Sequence, residues 1–352
     1  MYELQGLART IAPLDEAVME KIKAGLLTLI RPPSSLGRLE ELLIQYGGIT
    51  GSAFLPQHCM VVACADHGVA RNTVSAYPIE TTVQMTLNYV LSRGASANAF
   101  ANYCGANMVV VDAGVAADIS DVKEIRHHKI AWGTADFTRG AAMSEQQAVR
   151  AVTIGIEVAR AEAAKGYNCF SLGEMGIGNT TSSAAIASAC VGLTPERAVG
   201  RGTGISDERL EVKLAMIRQA LAVNKPRADD GLDVLTKIGG FETGVLAGVV
   251  IGAAQSRSMV IVDGLNTTVA ALIAMLIEPQ CRMNITASHL SAEPAHEAVL
   301  GFLGLKPCVK MDIRLGEAIG ASVVMKMLTA AVDVYGNIVG DERNRANFGL
   351  GE

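Results

Sequence analysis

Six short apolar runs constrain this chain more than any other feature: CMVVACAD (59–66), NMVVVDAG (107–114), YNCFSLGE (167–174), MVIVDG (259–264), RMNITASH (282–289) and CVKMDIRLGE (308–317). Each is too short for a helix and too continuously apolar for a sheet with one wet face, so the runs predict parallel strands covered on both sides. Helical stretches separate them. In SEQQAVRAVTIGIEVARAEAAKG (144–166), Ser144 and Gln147 form a capping box and Gly166 a C-terminal stop. The alternation predicts an α/β fold with a doubly wound, mainly parallel six-stranded, Rossmann-like sheet. The residues before the first run and GASVVMKMLTAAVDVY (320–335) lie outside the alternation and are expected to form a small helical domain from the two chain termini. The expected division is 1–50 for its N-terminal helices, 51–317 for the α/β domain and 318–352 for its C-terminal helix and tail. The polar, glycine-rich stretch after Tyr335 is expected to be loosely held.

Charge and cysteine usage narrow the setting. The net charge of -5 is spread along the chain without a basic block, which argues against nucleic acid or an anionic membrane surface as a partner. The seven cysteines form no CxxC, and Cys64, Cys169 and Cys308 sit in apolar runs, as expected in a reducing cytoplasm. The first residues carry acids and do not resemble a secretory signal. No window is expected to reach the roughly 18 apolar residues of a membrane span, and GVLAGVVIGAA (244–254) reads as a buried helix.

The polar residues with chemical potential cluster just after the strand runs: Asp66 and His67, Asp112, Glu174, Asp263 and Gly264, Ser288 and His289, Arg314 and Glu317. In open parallel sheets the ligand crevice lies at these carboxyl ends. SLGEMGIGNTTSS (171–183) joins a strand to a helix through three glycines, which is the build of an anion site or of a bare tight turn. The dinucleotide fingerprint fails at Thr181 and no lysine completes a nucleoside-triphosphate loop, and no well-placed acid follows about 20 residues on, so a nicotinamide-dependent oxidoreductase is disfavoured. Glu174 suits ribose hydroxyls, which donate to a carboxylate. A second loop, VGRGTGISDERLEVK (199–213), has glycines at 200, 202 and 204 and leads to Lys213; a ribose phosphate fits the pair, while a surface turn with a solvated lysine is the plainer reading.

Glu317 leaves an apolar strand end in a glycine-flanked turn, so partial desolvation should raise its pKa toward a general base's range; a helix N-terminal acid held by the dipole is the alternative. Asp66 and His67 read as a structural turn ahead of a metal or triad site, and His127 and His128 as surface residues. Asp229, Asp230 and Asp233 resemble an incomplete calcium loop.

Taken together, RPPSSLGRLE, CADHGVA, GEMGIGNTTSSAA, VGRGTG, GLDVLTKIGGFE, VDGLNTTVAAL, SHLSAEPAH and RLGEAIGAS closely resemble the nicotinate-nucleotide:dimethylbenzimidazole phosphoribosyltransferase family, in order from about residue 8 to residue 332. The resemblance implies transfer of 5-phosphoribosyl from nicotinate mononucleotide to an aromatic lower-ligand base of cobamides, with no cofactor and no metal. It implies Glu317 as general base and Glu174 as a second catalytic carboxylate facing the ribose. Gly176, Ile177, Gly178, Asn179, Thr180, Gly202 and Lys213 would hold the phosphate. Ser291 with the backbone of Arg314, Leu315 and Gly316 would line the nicotinate and base side. Pro33, Ser35, Leu36, Tyr77 and Met85 would wall the acceptor pocket. The presence of both glutamates disfavours a partner chain without turnover.

The chain departs from the family pattern at several points. Ala318 and Ile319 stand where glycine and then serine or threonine are usual, Ser34 where glycine is usual and Arg31 where lysine is usual, and GTADFTRGAAM lacks a proline. Tyr77 and Met85 replace smaller or amide-bearing side chains. The acceptor is therefore expected to be 5,6-dimethylbenzimidazole or a related base, or alternatively phenol or p-cresol with this chain as one subunit of a heterodimer. A homodimer or a heterodimer with a homologous chain is the expected assembly.

Overall fold

The computed structural model describes residues 10–28 and 32–339. Arg31 and the tail from residue 340 lie outside the described residues. Two helices open the chain, α1 (Glu16–Leu27) and α2 (Arg38–Thr50). There follow β1 (His58–Ala65), α3 (Thr81–Leu87), α4 (Ser96–Cys104), β2 (Asn107–Gly114), β3 (Arg126–His127), α5 (Glu145–Ala163) and β4 (Cys169–Met175). Next come α6 (Asn179–Val191), α7 (Pro195–Ala198), α8 (Asp207–Asn224), α9 (Gly231–Ile238), α10 (Phe241–Gln255), β5 (Met259–Val262) and α11 (Leu265–Ile277). The chain ends with β6 (Ile285–Ala287), β7 (His289–Leu290), α12 (His296–Phe302), β8 (Val309–Lys310) and α13 (Ile319–Val339).

Six strands pair in the order β3-β2-β1-β4-β5-β6, all parallel. Successive strands run outward in both directions from β1 and β4, so the order reverses between them and opens a crevice at their carboxyl ends. The sixth strand is not the one expected. The 308–317 run supplies only β8, which pairs with β7 in a separate two-stranded sheet, and β3 takes the sixth place. The reason is burial: Lys310, Met311, Asp312 and Arg314 are exposed, so this run lacks the two covered faces of an inner strand, while a two-residue edge strand such as β3 needs none. His127 therefore belongs to an edge strand, although it is exposed as expected.

Alternation along β1 divides the interior. Cys59, Val61, Ala63 and Ala65 pack with α5, α10 and α11, whereas Met60, Val62 and Cys64 pack with α2, α4 and α13. α10 is buried from Phe241 to Ala254, as expected for GVLAGVVIGAA. It can lie so close to α5 because both helices place glycine at the crossing. A Cβ on Gly155 would sit 1.8 Å from the Val245 carbonyl oxygen, and one on Gly248 2.0 Å from that of Val152. The capping box forms, with Ser144 Oγ accepting from the Gln147 N–H (3.2 Å) and Gln147 Oε1 from the Ser144 N–H (2.9 Å). One expectation is corrected at α13: Ile319–Gly336 is an 18-residue window of mean hydropathy 1.3. Half of that window is buried, with Val324, Met325 and Leu328 in the core shared with α2 and β1, which is the packing of an apolar core helix.

Candidate active site

At the carboxyl ends of β4, β5 and β7 one cavity gathers residues far apart in the chain. Glu174, Gly176, Ile177, Asn179, Thr180, Gly202, Ser291, Arg314, Leu315, Gly316 and Glu317 all line it, as do Asn266, His289 and Glu293. Gly178 stands at the turn into α6, with φ +98°, a conformation that glycine adopts without strain. Lys213 is not solvated. It is wholly buried behind the cavity wall, where Nζ donates to Thr180 Oγ1 (2.8 Å) and to the Gly200 carbonyl oxygen (2.9 Å). Burial lowers its pKa to about 8, opposed by the negative charge of Glu293.

Two buried carboxylates define the other end. Glu174, the last acid of β4, is 6% exposed. Its Oε1 accepts from Asn266 Nδ2 (2.7 Å) and its Oε2 from Asn179 Nδ2 in a close contact. Burial pushes its pKa up to about 8; the Asn266 amide opposes the shift, while Glu242, Asp263 and Glu317 add like-charge repulsion. A side chain at position 316 would displace the Glu174 carboxylate, because a Cβ would sit 2.0 Å from Glu174 Oε1. The glycine of RLGE thus lets one carboxylate lie against the backbone that presents the other.

Glu317 is 4% exposed and occupies the turn before α13. Its Oε2 accepts the Ala97 N–H (3.1 Å) from the first turn of α4, whose dipole favours a negative charge. Burial nevertheless raises its pKa, against the help of that N–H and of Tyr89. The Tyr89 hydroxyl lies beside Glu317 without a hydrogen bond of good geometry, and burial together with that carboxylate raises its own pKa well above the usual value. An acid that is desolvated yet reached by N–H donors can be a base near neutrality, and neighbouring acids of one sign favour a substrate that carries or develops positive charge.

Asp263 was expected at a strand end but given no role, and Asn266 was not expected at the site. Asp263, just after β5, accepts the Ala321 N–H (3.0 Å) and lies close to the N–H groups that open α13, with a pKa raised by burial to about 7 against their help, so it braces the start of α13 and with it Glu317. The signal was present, since VDGLNTT sets an acid and an amide directly after a strand.

The remaining expected residues lie elsewhere. Tyr77 is 57% exposed and lines a separate depression with Arg71, Pro78 and Arg209. Met85, on α3, packs at the margin of the core shared with α2 and α13. Pro33 and Ser35 are exposed in the turn before α2, and the Leu36 N–H donates to Glu40 Oε1 (3.0 Å). His67 is buried, with Nε2 2.8 Å from Glu242 Oε1, and Asp66 Oδ2 accepts the Ala116 N–H (2.7 Å), so both are tied into the structure. Asp230 caps α9 by accepting the Asp233 N–H (3.0 Å), and both acids pair with Arg227.

Comparison with known proteins points in one direction. A family model described as phosphoribosyltransferase matches residues 11–342. A nicotinate-nucleotide–dimethylbenzimidazole phosphoribosyltransferase from Desulforudis audaxviator is 45% identical over 336 residues, 95% of each chain. A protein of the same name from Chloroflexus aggregans is 44% identical over 326 residues, 92% of each. The crystal structure of CobT from Thermus thermophilus superposes with a TM-score of 0.86 at 38% identity, covering 91% of this chain and 96% of that one.

Proposed function

The chain belongs to the nicotinate-nucleotide–dimethylbenzimidazole phosphoribosyltransferase family, and from that premise we propose that it moves 5-phosphoribosyl from nicotinate mononucleotide to 5,6-dimethylbenzimidazole. The products are the α-riboside 5′-phosphate and nicotinate, for cobamide assembly. The observation that carries the proposal is that Glu174 and Glu317, both buried, share one cavity with the glycine turns at 176–178 and 202, and that the buried Lys213 backs the phosphate end.

In this reading the backbone N–H groups of Gly176, Gly178, Thr180 and Gly202, with the charge of Lys213, hold the 5′-phosphate, while those of Ile177 and Asn179 stay bonded to Thr82 and Gly176. Glu174 faces the ribose, kept in place by Asn179 and Asn266. The acceptor nitrogen forms its bond to C1′ from the face opposite the leaving ring, so the β-nucleotide gives an α-riboside. The breaking C1′–N bond leaves its electron pair on nicotinate, whose ring departs uncharged. The acceptor's ring N–H proton passes to Glu317. Positive charge growing on the sugar is stabilised by the two carboxylates.

A phenol or p-cresol acceptor would need the same base, and no feature of the cavity favours it. Assembly as a dimer and residence in the cytoplasm also belong to the proposal, the latter supported by seven unpaired cysteines, six of them buried. Incubation of the pure chain with nicotinate mononucleotide and either dimethylbenzimidazole or phenol, with products separated chromatographically, tests the reaction. The riboside phosphate of the benzimidazole is the expected product, and nicotinate release with neither acceptor would refute the assignment.

A further inference from the structure

Gly202, one of the groups proposed to hold the phosphate, already has its N–H engaged: it donates to Glu293 Oε1 at 3.0 Å. The other oxygen of that carboxylate lies against Gly200, where a Cβ would sit 2.0 Å from Oε2. Glu293 comes from the loop after β7, lines the cavity and has its own N–H directed at Ser291 Oγ (3.4 Å). Lys213 Nζ stands behind the same turn, bonded to Gly200 and Thr180, and the charge of Glu293 supports its ammonium form. A carboxylate therefore sits against two glycines of the anion turn, and a buried ammonium group holds the same turn from the other side.

We infer that Glu293 is a placeholder for the substrate's 5′-phosphate, occupying the Gly202 N–H in the free protein and leaving it when the nucleotide binds. The inference rests on the phosphate assignment proposed above. A phosphate dianion and a carboxylate cannot share one N–H donor, and at this separation their like charges repel. Before nucleotide binds, the carboxylate satisfies a backbone donor and keeps a counter-charge beside Lys213, so the 199–204 turn holds its shape without ligand. Entry then depends on an anion able to displace it. Glu293 thereby weakens the binding of phosphorylated ligands without touching nucleosides, and its return to Gly202 favours release of the phosphorylated product.

The test is calorimetric binding without acceptor to the wild type, E293Q and K213M, each first checked for a cooperative thermal transition. Glutamine still accepts from Gly202 but carries no charge. E293Q should bind nicotinate mononucleotide and inorganic phosphate about tenfold more tightly, while nicotinate riboside, which has no phosphate, changes by less than about twofold. Unchanged or weaker nucleotide binding by E293Q, while K213M also weakens it, overturns the placeholder and leaves the phosphate site standing. Equal tightening of nucleotide and riboside overturns it as well. If neither variant alters nucleotide affinity, the phosphate assignment itself fails and the inference with it. Should K213M not fold, inorganic phosphate that does not compete with the nucleotide on the wild type would overturn both in the same way.

Discussion

The proposed phosphate end of the cavity and the segments expected to wall the acceptor are built differently. At the proposed phosphate end, the Gly202 N–H is held by Glu293, and the wholly buried Lys213 is held by Thr180 and the Gly200 carbonyl. The segments at 33–36 and 75–85 are more open: Tyr77 stands in solvent and Pro33 and Ser35 lie in an exposed turn, while Thr82 is buried and Val83 and Met85 pack against a core. An anion common to every turnover needs one rigid geometry, whereas an aromatic acceptor can be met by side chains that adjust. The difference implies that substitutions at the two ends should separate nucleotide binding from acceptor choice.

The base at the junction should give the largest effect. E317Q removes the proton acceptor while keeping size and the bond from the Ala97 N–H, so kcat should fall by about 10²- to 10⁴-fold with nucleotide binding nearly intact, as read by steady-state kinetics and calorimetry. At the rigid end, K213M should raise KM for nicotinate mononucleotide by about tenfold or more and leave KM for the acceptor unchanged. Loss of acceptor binding in K213M would break the comparison.

pH sharpens it further. In the proposed base role Glu317 must be unprotonated, and its pKa is raised by burial, so kcat/KM should fall as pH drops through that raised value. Stability runs the other way. Glu174 and Asp263 have folded pKa values of about 8 and about 7, above their values of 4.5 and 3.8 outside the fold. Their favourable contribution is complete below those unfolded values and is lost as pH rises through the folded ones. The free protein should therefore melt at a lower temperature at pH 8 than at pH 5, and a scanning calorimeter showing the reverse would contradict the burial of these acids.

At the adaptable end, Y77A should alter KM for dimethylbenzimidazole by roughly tenfold at most and leave KM for the nucleotide unchanged. The smallest effects concern backbone. Ser34 and Ala318 have φ of +57° and +60°, where glycine is unstrained. S34G, at an exposed turn, should stabilise the protein by about 0.5 kcal/mol, since relief of strain exceeds the added freedom of the unfolded chain. A318G should come out near zero, because the Ala318 methyl is fully buried and its loss, about 0.8 kcal/mol, offsets the relief. Chemical denaturation resolves both.

What was legible in the sequence follows the same division. The glycine turns, Glu174 and Glu317 were readable because backbone geometry and strand ends demand particular residues at fixed spacings. The two departures at 34 and 318 from glycine fall on left-handed backbone, so that pattern carried conformational information as well. The edge strand β3 was not legible, for two exposed residues have no apolar signature, and β8 was overread because Cys308 to Ile313 imitates a strand without covered faces. Asn266 stood in a readable strand-end motif, but that it meets Glu174, 92 residues away, is not local information, and neither is the contact of Glu293 with Gly202, 91 residues away.

A crystal structure with the α-riboside phosphate and nicotinate bound tests the central claim most directly. The phosphate should lie within hydrogen-bond distance of the N–H groups of Gly176, Gly178, Thr180 and Gly202, with the aromatic base against the Glu317 carboxylate. A phosphate seated at another part of the molecule, or a Glu317 carboxylate turned away from the base, would contradict it.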